Sequence, residues 1–269
     1  MSESALSEIV RRAAEFDHVA PLNEASLLAI AEGDTPRVDV QVTAGSEVVA
    51  LAYAAGDAPV ELVVDPRFRR GGLGHRVAAS VLDDGETRFW AHGDLLPAQK
   101  LARRLGLRAE RTLLVLRRED APPVDARVPE GVTIRTFTGA DAEAVVAVNA
   151  RAFASHPEQG AMDLADFRRR ASAPWFDPEG LFVAERDGEV VGFHWTKVDH
   201  GIGEVYVVGV DPAAHGGGLG TALTARGLQH LDAQVPVVDL YVEADNTAAL
   251  TVYRRLGFTE QARDTLYAR

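Results

Sequence analysis

The sequence contains one eleven-residue motif twice, at 64–74 and 210–220, and this repeat limits the possible folds more than any other feature. The copies read VDPRFRRGGLG and VDPAAHGGGLG. A second pair of segments, QKLARRLGL at 99–107 and LTVYRRLGF at 250–258, also recurs about half a chain apart. Solenoid repeats recur every ~20 to 50 residues, so this spacing indicates two copies of one domain instead. The copies of the first motif agree at Val64, Asp65, Pro66, Gly71, Gly72, Leu73 and Gly74.

Each motif predicts a strand, a glycine turn and the start of a helix. In the second copy, Glu204 to Val210 is rich in Val and Tyr, which favours a buried strand. Pro212 ends that strand because proline has no amide hydrogen for a sheet. Glycines follow, and Thr221 opens an amphipathic helix. Such a turn can present backbone N–H groups to an anion, although it could also serve only to redirect the chain. The apolar positions of this helix are Leu223, Leu228 and Leu231.

The remaining patterns predict two mixed α/β domains, each with an antiparallel front and a crossover helix. Pro122, Pro123 and Pro129 lie in a segment that disfavours regular structure. We therefore expect an N-terminal domain at 1–121, a linker at 122–130 and a C-terminal domain at 131–269. Asp187-Gly188 predicts a hairpin turn. Expected helices cover 3–17, 23–32, 75–83, 140–153, 163–172 and 247–256; expected strands cover 37–43, 47–54, 59–64, 87–91, 132–137, 181–186, 190–197, 237–243 and 259–267.

Composition excludes several classes of function. A net charge of −12 over 269 residues argues against nonspecific nucleic-acid binding, which requires basic residues. The absence of cysteine excludes disulfides, thiolate metal sites and cysteine nucleophiles. No apolar run is long enough to span a membrane and the N-terminus is polar, so a cytoplasmic protein is expected. His156 and His194 have no second cluster at ligand spacing, so no metal site is expected.

Comparison of the two copies indicates where chemistry should lie. The second copy has a carboxylate, an amide and a phenol where the first has mostly unreactive side chains: Glu204, Asn246 and Tyr253 stand opposite Ala58, Leu95 and Ala102, and Glu243 stands opposite His92. Both copies keep the glycine turn. We therefore expect two ligand-binding halves, of which only the C-terminal one is equipped for proton transfer.

The order of strand, Gln/Arg-x-x-Gly-x-Gly/Ala turn, helix, strand, Asn, helix and Tyr resembles the GCN5-related N-acetyltransferase (GNAT) family. Arg69, Gly72 and Gly74 fill the turn pattern in the first copy, whereas His215 occupies the Gln/Arg position in the second. The resemblance implies an α/β fold with a mixed sheet in two tandem GNAT-type domains. More narrowly, the chain is similar to the mycothiol synthases in the strings HPEQG, WFDPEGL, GFHWTKV, GEVYVVGVDP and LYVEADNTAALTVY between 156 and 253.

The resemblance implies acetyl transfer from acetyl-CoA to the cysteinyl amine of a cysteine–glucosamine–inositol pseudodisaccharide, without a metal, by a monomer. An amine must lose a proton before it attacks a thioester, and Glu204 is the candidate base. Tyr253 is the candidate acid for the departing thiolate. Glu204 could instead pair with a neighbouring cation at a strand end, and Tyr253 could simply pack.

The resemblance also implies which residues bind ligands. We expect the first half to bind acetyl-CoA or CoA without turnover; the alternative is that its turn is empty. The residues expected at acetyl-CoA in this half are Leu62, Val63, Val64, Arg70, Gly71, Gly72, Leu73, Gly74 and His75. Those in the second half are Val208, Gly209, Val210, His215, Gly216, Gly217, Gly218, Leu219, Gly220, Thr221, Asn246, Thr247, Ala248, Ala249, Leu250 and Thr251. Those expected at the acceptor are Glu24, Asp163, Lys197, Glu204 and Tyr241, with Glu24 reaching it from the first domain; surface charge is the alternative for Glu24 and Lys197.

Two other functions remain open at this point. One is a GNAT enzyme acting on protein or peptide amino groups, and the other is a CoA-binding regulatory protein without turnover. Glu204 and Tyr253 argue against the second. A P-loop nucleotide hydrolase is excluded because neither glycine turn is followed by Lys-Ser/Thr.

Overall fold

The glycine turns lie in two units of a computed structural model. The model describes residues 3–125, 127–154 and 157–269, with the side chains of all of these except 3–5, 24, 157 and 158. The α-helices in these ranges are α1 (Glu3–Asp17), α2 (Glu24–Glu32), α3 (Leu73–Asp83), α4 (Leu96–Arg104), α5 (Ala142–Ala152), α6 (Pro157–Gly160), α7 (Leu164–Ala171), α8 (Leu219–Asp232) and α9 (Thr247–Arg255). The strands are β1 (Val38–Ala44), β2 (Glu47–Ala54), β3 (Val60–Val64), β4 (Arg88–Ala91), β5 (Arg108–Glu119), β6 (Val132–Thr136), β7 (Leu181–Arg186), β8 (Glu189–Asp199), β9 (Ile202–Val210), β10 (Val237–Glu243) and β11 (Thr259–Ala268).

The first unit consists of 1–114 with 243–245 and 262–269. Its strands β1, β2 and β3 pair antiparallel, and β4 runs parallel to β3 after the crossover helix α3. The end of β11 then pairs antiparallel with β4, from Thr265 opposite Ala91 to Ala268 opposite Arg88. The later part of β11, from residue 262 onward, therefore belongs to the first unit.

The second unit consists of 115–242 with 246–261 and repeats this plan. Strands β6 to β9 pair antiparallel in chain order, and β10 runs parallel to β9 after helix α8. The end of β5 lies beside β10. Each unit is built from separate stretches of the chain, whereas the sequence analysis expected one boundary, at the linker 122–130. That linker stays a prediction. No periodicity in the sequence reveals such an exchange of strands.

The Asp187-Gly188 hairpin is confirmed. Asp187 and Gly188 have φ angles of 53° and 82°, the left-handed conformations of the turn that joins twisted strands. The turn brings Arg186 of β7 opposite Glu189 of β8.

The amphipathic pattern of α8 is confirmed as well. Leu223, Leu228 and Leu231 are fully buried, and each contributes about 1.5–3 kcal/mol by leaving water. This burial fixes the N-terminus of α8 at the end of β9, where the glycine turn connects them. Among the described residues, no helix is long and apolar enough to cross a membrane.

Candidate active site

Each glycine turn ends in a glycine at the N-cap position of the following helix, so no side chain caps that helix. Gly72 precedes α3 with φ 79°, and Gly218 precedes α8 with φ 81°; neither helix has a side-chain cap. Left-handed φ angles strain other residues, which explains why the motif has glycine at these positions. The first N–H groups of α3 and α8 therefore point out of the helix without an intrahelical acceptor, which is the arrangement that binds phosphate.

The residue at the Gln/Arg position of the turn pattern, Arg69 in the first copy and His215 in the second, stabilises the turn itself. Arg69 donates from Nε to the carbonyl of Val64 at 2.9 Å, and His215 Nε2 lies 3.1 Å from the carbonyl of Val210. A histidine can thus replace arginine because both close the turn onto the end of the preceding strand. With Nε2 donating to Val210, the neutral imidazole presents only an acceptor at Nδ1, so a phosphate contact would require its protonated form. That contact stays a prediction.

A cavity of about 440 Å³ lies beside the glycine turn of the first unit. It forms where β3 and β4 stop pairing: their recorded pairs among the described residues are Val60–Phe89 and Glu61–Trp90. Beyond Glu61, the edge of β3 faces the cavity. Of the nine cofactor-binding residues expected in this half, all but Gly71 line it: Leu62, Val63, Val64, Arg70, Gly72, Leu73, Gly74 and His75.

The wall of this cavity combines apolar and cationic side chains. Phe89 and Leu101 line the interior, together with the carbon chains at the turn. Arg70, Lys100 and Arg104 also line the cavity, and no ion pair is recorded for them within the described ranges. Arg69 is not available in the same way, because it forms two hydrogen bonds of 2.7 and 2.6 Å with Asp17. The cavity therefore fits a ligand with an apolar arm and phosphates.

The second unit has the same separation of strands beside its turn. The recorded pairs between the described residues of β9 and β10 are Gly203–Val238 and Glu204–Asp239, at the beginnings of both strands. In the described part of the chain, the recorded pairs of Val208 to Val210 are with β8, on the other side of the strand. Its edge toward β10 is thus available for hydrogen bonds to an extended ligand.

Glu204 lies where β9 and β10 stop pairing and is half-buried. It is paired across the ladders with Lys197 of β8 and with Asp239 of β10. Asp239 is itself bonded to Arg117 at 2.8 Å through both carboxylate oxygens. Glu204 is therefore flanked by Lys197 on one neighbouring strand and Asp239 on the other, at the point where β9 and β10 separate.

Tyr253 lies on α9, and its ring contacts Phe258 with centroids 5.9 Å apart. Burial raises the pKa of Tyr253 to about 12, although part of its side chain stays exposed. The phenol keeps its proton at neutral pH, so its O–H can donate a hydrogen bond or a proton while its oxygen can still accept a hydrogen bond.

The expected Asn246–Thr251 segment is the first turn of α9 and its cap. Asn246 accepts a hydrogen bond from the Ala249 amide at 3.1 Å, and Thr251 donates to the Thr247 carbonyl at 2.8 Å. Thr247 and Ala248 are exposed, while Leu250 is buried in the core. The structure thus gives Leu250 a packing role and leaves Thr247 and Ala248 accessible.

The expected acceptor residues occupy different environments. Lys197 is largely buried, with Nζ 5.3 Å from the centroid of Trp175. Asp163 caps α7 by accepting from the Asp166 amide at 2.8 Å, so its carboxylate has a structural task. Tyr241 is 54% exposed. The side chain of Glu24 lies outside what the structure describes.

Comparison of the two repeats in the sequence did not reveal a cluster of titratable groups in the first unit. His92 Nε2 lies 2.5 Å from Glu61 Oε1, and His92 Nδ1 lies 3.2 Å from Asp264. His92 lines the cavity described above. Asp264 comes from the second repeat, and Glu61 and His92 are separated by a helix, so no local pattern connects the three. An aromatic group around Trp175 was missed for the same reason.

His194, one of the two histidines weighed as metal ligands, has a structural environment. His194 is completely buried beside Leu223, whose carbonyl lies 2.8 Å from its Nδ1, and burial lowers the pKa of His194 to about 4. His156 lies outside the described residues. No group of three or more His, Cys, Asp or Glu side chains that could hold a metal occurs in the described part.

Comparison with known proteins agrees with this geometry. The family model described as the acetyltransferase (GNAT) family matches residues 149–258. The chain is 49% identical to a mycothiol acetyltransferase of Thermobispora bispora, covering 99% of this chain and 96% of the relative. It is 48% identical to that of Thermomonospora curvata, over 96% of this chain and 91% of the relative.

Solved structures show the same fold at lower identity. A GCN5-related N-acetyltransferase from Sphaerobacter thermophilus has a TM-score of 0.77 at 24% identity and covers all of this chain and 93% of its own. A tandem GNAT protein from the clavulanic acid biosynthesis pathway has a TM-score of 0.68 at 18% identity, covering all of this chain and 95% of its own. The tandem α/β GNAT fold that the family resemblance implied is therefore confirmed.

Proposed function

Because the chain belongs to the mycothiol acetyltransferases of the GNAT family, we propose that it acetylates the cysteinyl amine of 1D-myo-inositol 2-(L-cysteinylamino)-2-deoxy-α-D-glucopyranoside, giving mycothiol. It is an acetyltransferase, and acetyl-CoA is its co-substrate. The observation that carries the proposal is the identity of 45–49% to mycothiol acetyltransferases over nearly the whole chain. The proposal includes a monomeric, cytoplasmic enzyme without a metal.

Glu204 accepts the proton of the acceptor ammonium, directly or through one water. What supports this role is its half-buried place where β9 and β10 stop pairing, next to the edge that can hold the thioester. Backbone N–H groups from Val208 to Val210 donate to the thioester carbonyl and the pantetheine arm. The neutral amine attacks the carbonyl carbon, the bond from that carbon to sulfur breaks, and the nitrogen loses its second proton to solvent as the amide forms.

Tyr253 gives its proton to the departing thiolate. What supports this role is its place on α9, the helix that Asn246 caps, with a phenol that carries its proton at neutral pH. Tyr253→Phe keeps the ring that packs on Phe258 and removes only the hydroxyl. We expect kcat to fall about 10- to 100-fold with KM for acetyl-CoA nearly unchanged.

Steady-state kinetics on Tyr253→Phe and on the control Tyr241→Phe measure this effect. Tyr241 is an expected acceptor residue, so its variant should raise KM for the acceptor with a smaller effect on kcat. Equal losses of kcat in both variants would remove the acid role from Tyr253.

Both glycine turns bind the pyrophosphate of a CoA molecule, and the N-terminal half holds its ligand without turnover. What supports this is the pair of uncapped helix N-termini and the cavity with Arg70, Lys100 and Arg104 at its wall. Residues of the first turn of α9, with Asn246, line the other side of the C-terminal channel.

Substitution of the capping glycine by glutamate in either half should abolish CoA binding in that half. Gly72→Glu and Gly218→Glu each add strain at positive φ and a negative charge at the anion site. By calorimetry with CoA, we expect stoichiometry to fall from two to one in both variants. Gly218→Glu should also abolish acetyl transfer, whereas Gly72→Glu should retain most of it. Unchanged stoichiometry in Gly72→Glu would show that the first half binds no CoA.

The acceptor is tested by a panel in which products are resolved by mass. The pseudodisaccharide, cysteine amide, glucosamine and peptides with free N-termini or lysines are incubated with acetyl-CoA. We expect kcat/KM for the pseudodisaccharide to exceed the others at least 100-fold, since several fixed hydrogen bonds distinguish it. Comparable rates on peptides would overturn the acceptor assignment and leave the family unchanged.

A further inference from the structure

One face of the second unit carries a group of aromatic and cationic side chains. Of the site residues expected from the sequence, Lys197 lies beside this group. The rings of Trp175 and Tyr206 meet edge-to-face with centroids 5.0 Å apart, and both are partly exposed. Arg170 Nη1 donates to the Tyr206 hydroxyl at 3.2 Å. We name Arg170, Trp175 and Tyr206 the aromatic corner.

A bulge in the sheet places Tyr206 in this corner. Trp195 of β8 is opposite Val207, and Thr196 is opposite Val205, so Tyr206 is an extra residue on β9. Its ring contacts Trp195 at 5.6 Å, which shows that the bulge turns it to the Trp195 side of the sheet. Bulges beside active sites commonly redirect a side chain in this way.

The same face includes the candidate base. Lys197 follows Trp195 by two residues on β8, so both point to one side, and its Nζ is 5.3 Å from the Trp175 centroid. Glu204 is the direct cross-strand partner of Lys197, and cross-strand partners share a face. The aromatic corner therefore adjoins the position where the acceptor amine loses its proton.

The corner offers hydrogen-bond donors around an apolar surface. The Tyr206 oxygen accepts from Arg170, and no bond donated by the Tyr206 O–H is recorded among the described residues, so this O–H can donate to a ligand. Arg170 has further N–H groups, since a guanidinium carries five. A polyhydroxylated ring presents oxygens at its edge and C–H groups on its faces, and so matches these donors and the aromatic surface. A lysine-rich peptide would instead meet Arg170 and Lys197 with like charge.

We propose that Arg170, Trp175 and Tyr206 bind the polyhydroxylated ring of the acceptor and thereby select a glycosylated amine over a simple one. Tyr206 and Arg170 donate to ring hydroxyls, and Trp175 packs against the ring. This inference rests on the proposed function and names further specificity-determining residues for it.

The test compares kcat/KM for the pseudodisaccharide with kcat/KM for cysteine amide, which lacks the ring. In Tyr206→Phe and Arg170→Met we expect this selectivity ratio to fall about 10-fold, the effect of one or two lost hydrogen bonds. The loss should reside in KM for the pseudodisaccharide, with KM for acetyl-CoA unchanged. Trp175→Phe should lower the ratio less and abolish part of the tryptophan fluorescence change caused by the pseudodisaccharide.

Arg168→Met is the matched control, because Arg168 is an exposed residue of the same helix α7. It should leave the ratio at the wild-type value. A ratio unchanged in both Tyr206→Phe and Arg170→Met, in enzymes that still acetylate the pseudodisaccharide, would overturn the inference. A wild-type enzyme that does not acetylate the pseudodisaccharide would instead overturn the proposed function.

Discussion

Glu204→Gln is expected to lower kcat for acetyl transfer about 100- to 1,000-fold, because general-base catalysis commonly contributes a factor of this size. Glutamine is close to glutamate in shape and keeps the backbone pairing with Lys197 and Asp239. It cannot take a proton from the acceptor ammonium. KM for acetyl-CoA should change little, and the variant should lose the acidic limb of the wild-type pH–rate profile.

The matched control is Glu189→Gln, which makes the same change at an exposed residue of the β7–β8 turn in the same unit. Its kinetics should equal those of the wild type. Retention of the acidic limb in Glu204→Gln would assign the base to another group, even if the rate fell. A loss of rate together with weaker acetyl-CoA binding would indicate the alternative, structural role of Glu204.

His92→Gln is expected to remove a pH-dependent part of the stability of the first unit. Burial opposes the imidazolium charge, but hydrogen bonds to Asp264 and Glu61 and attraction to both carboxylates outweigh it, and the pKa of His92 rises from 6.5 to about 9. A raised pKa stabilises the folded state fully below pH 6.5, and this contribution is lost as pH rises to about 9. The shift corresponds to about 3 kcal/mol.

Urea unfolding of the intact protein at pH 6.5 and pH 9 measures this contribution. The wild type should lose up to about 3 kcal/mol of unfolding free energy between these values, whereas His92→Gln should lose much less and be weaker at the lower pH. His200→Gln is the control, because the side chain of His200 is 95% exposed. If His92→Gln retained the wild-type pH dependence, the charged cluster would have no energetic role.

Local patterns predicted the elements that lie beside the chemistry. The glycine turns, the helices α3 and α8, and the Asp187-Gly188 hairpin follow from backbone conformations that few residues allow. The full burial of Leu223, Leu228 and Leu231 follows from helical periodicity. These features depend on neighbours within a few residues, so one sequence is enough to predict them.

The sequence by itself determined that this chain is a duplicated acetyltransferase scaffold, with a glycine turn in each copy and candidate acid and base groups in one. Only the tertiary structure decided that the later part of β11 belongs to the first unit, that Asp264 joins Glu61 and His92, and that a bulge brings Tyr206 to Trp175. The physical reason is range. Turn and helix signals arise from adjacent residues, whereas strand exchange, ion clusters and bulges depend on partners far away in the chain, which no local pattern encodes.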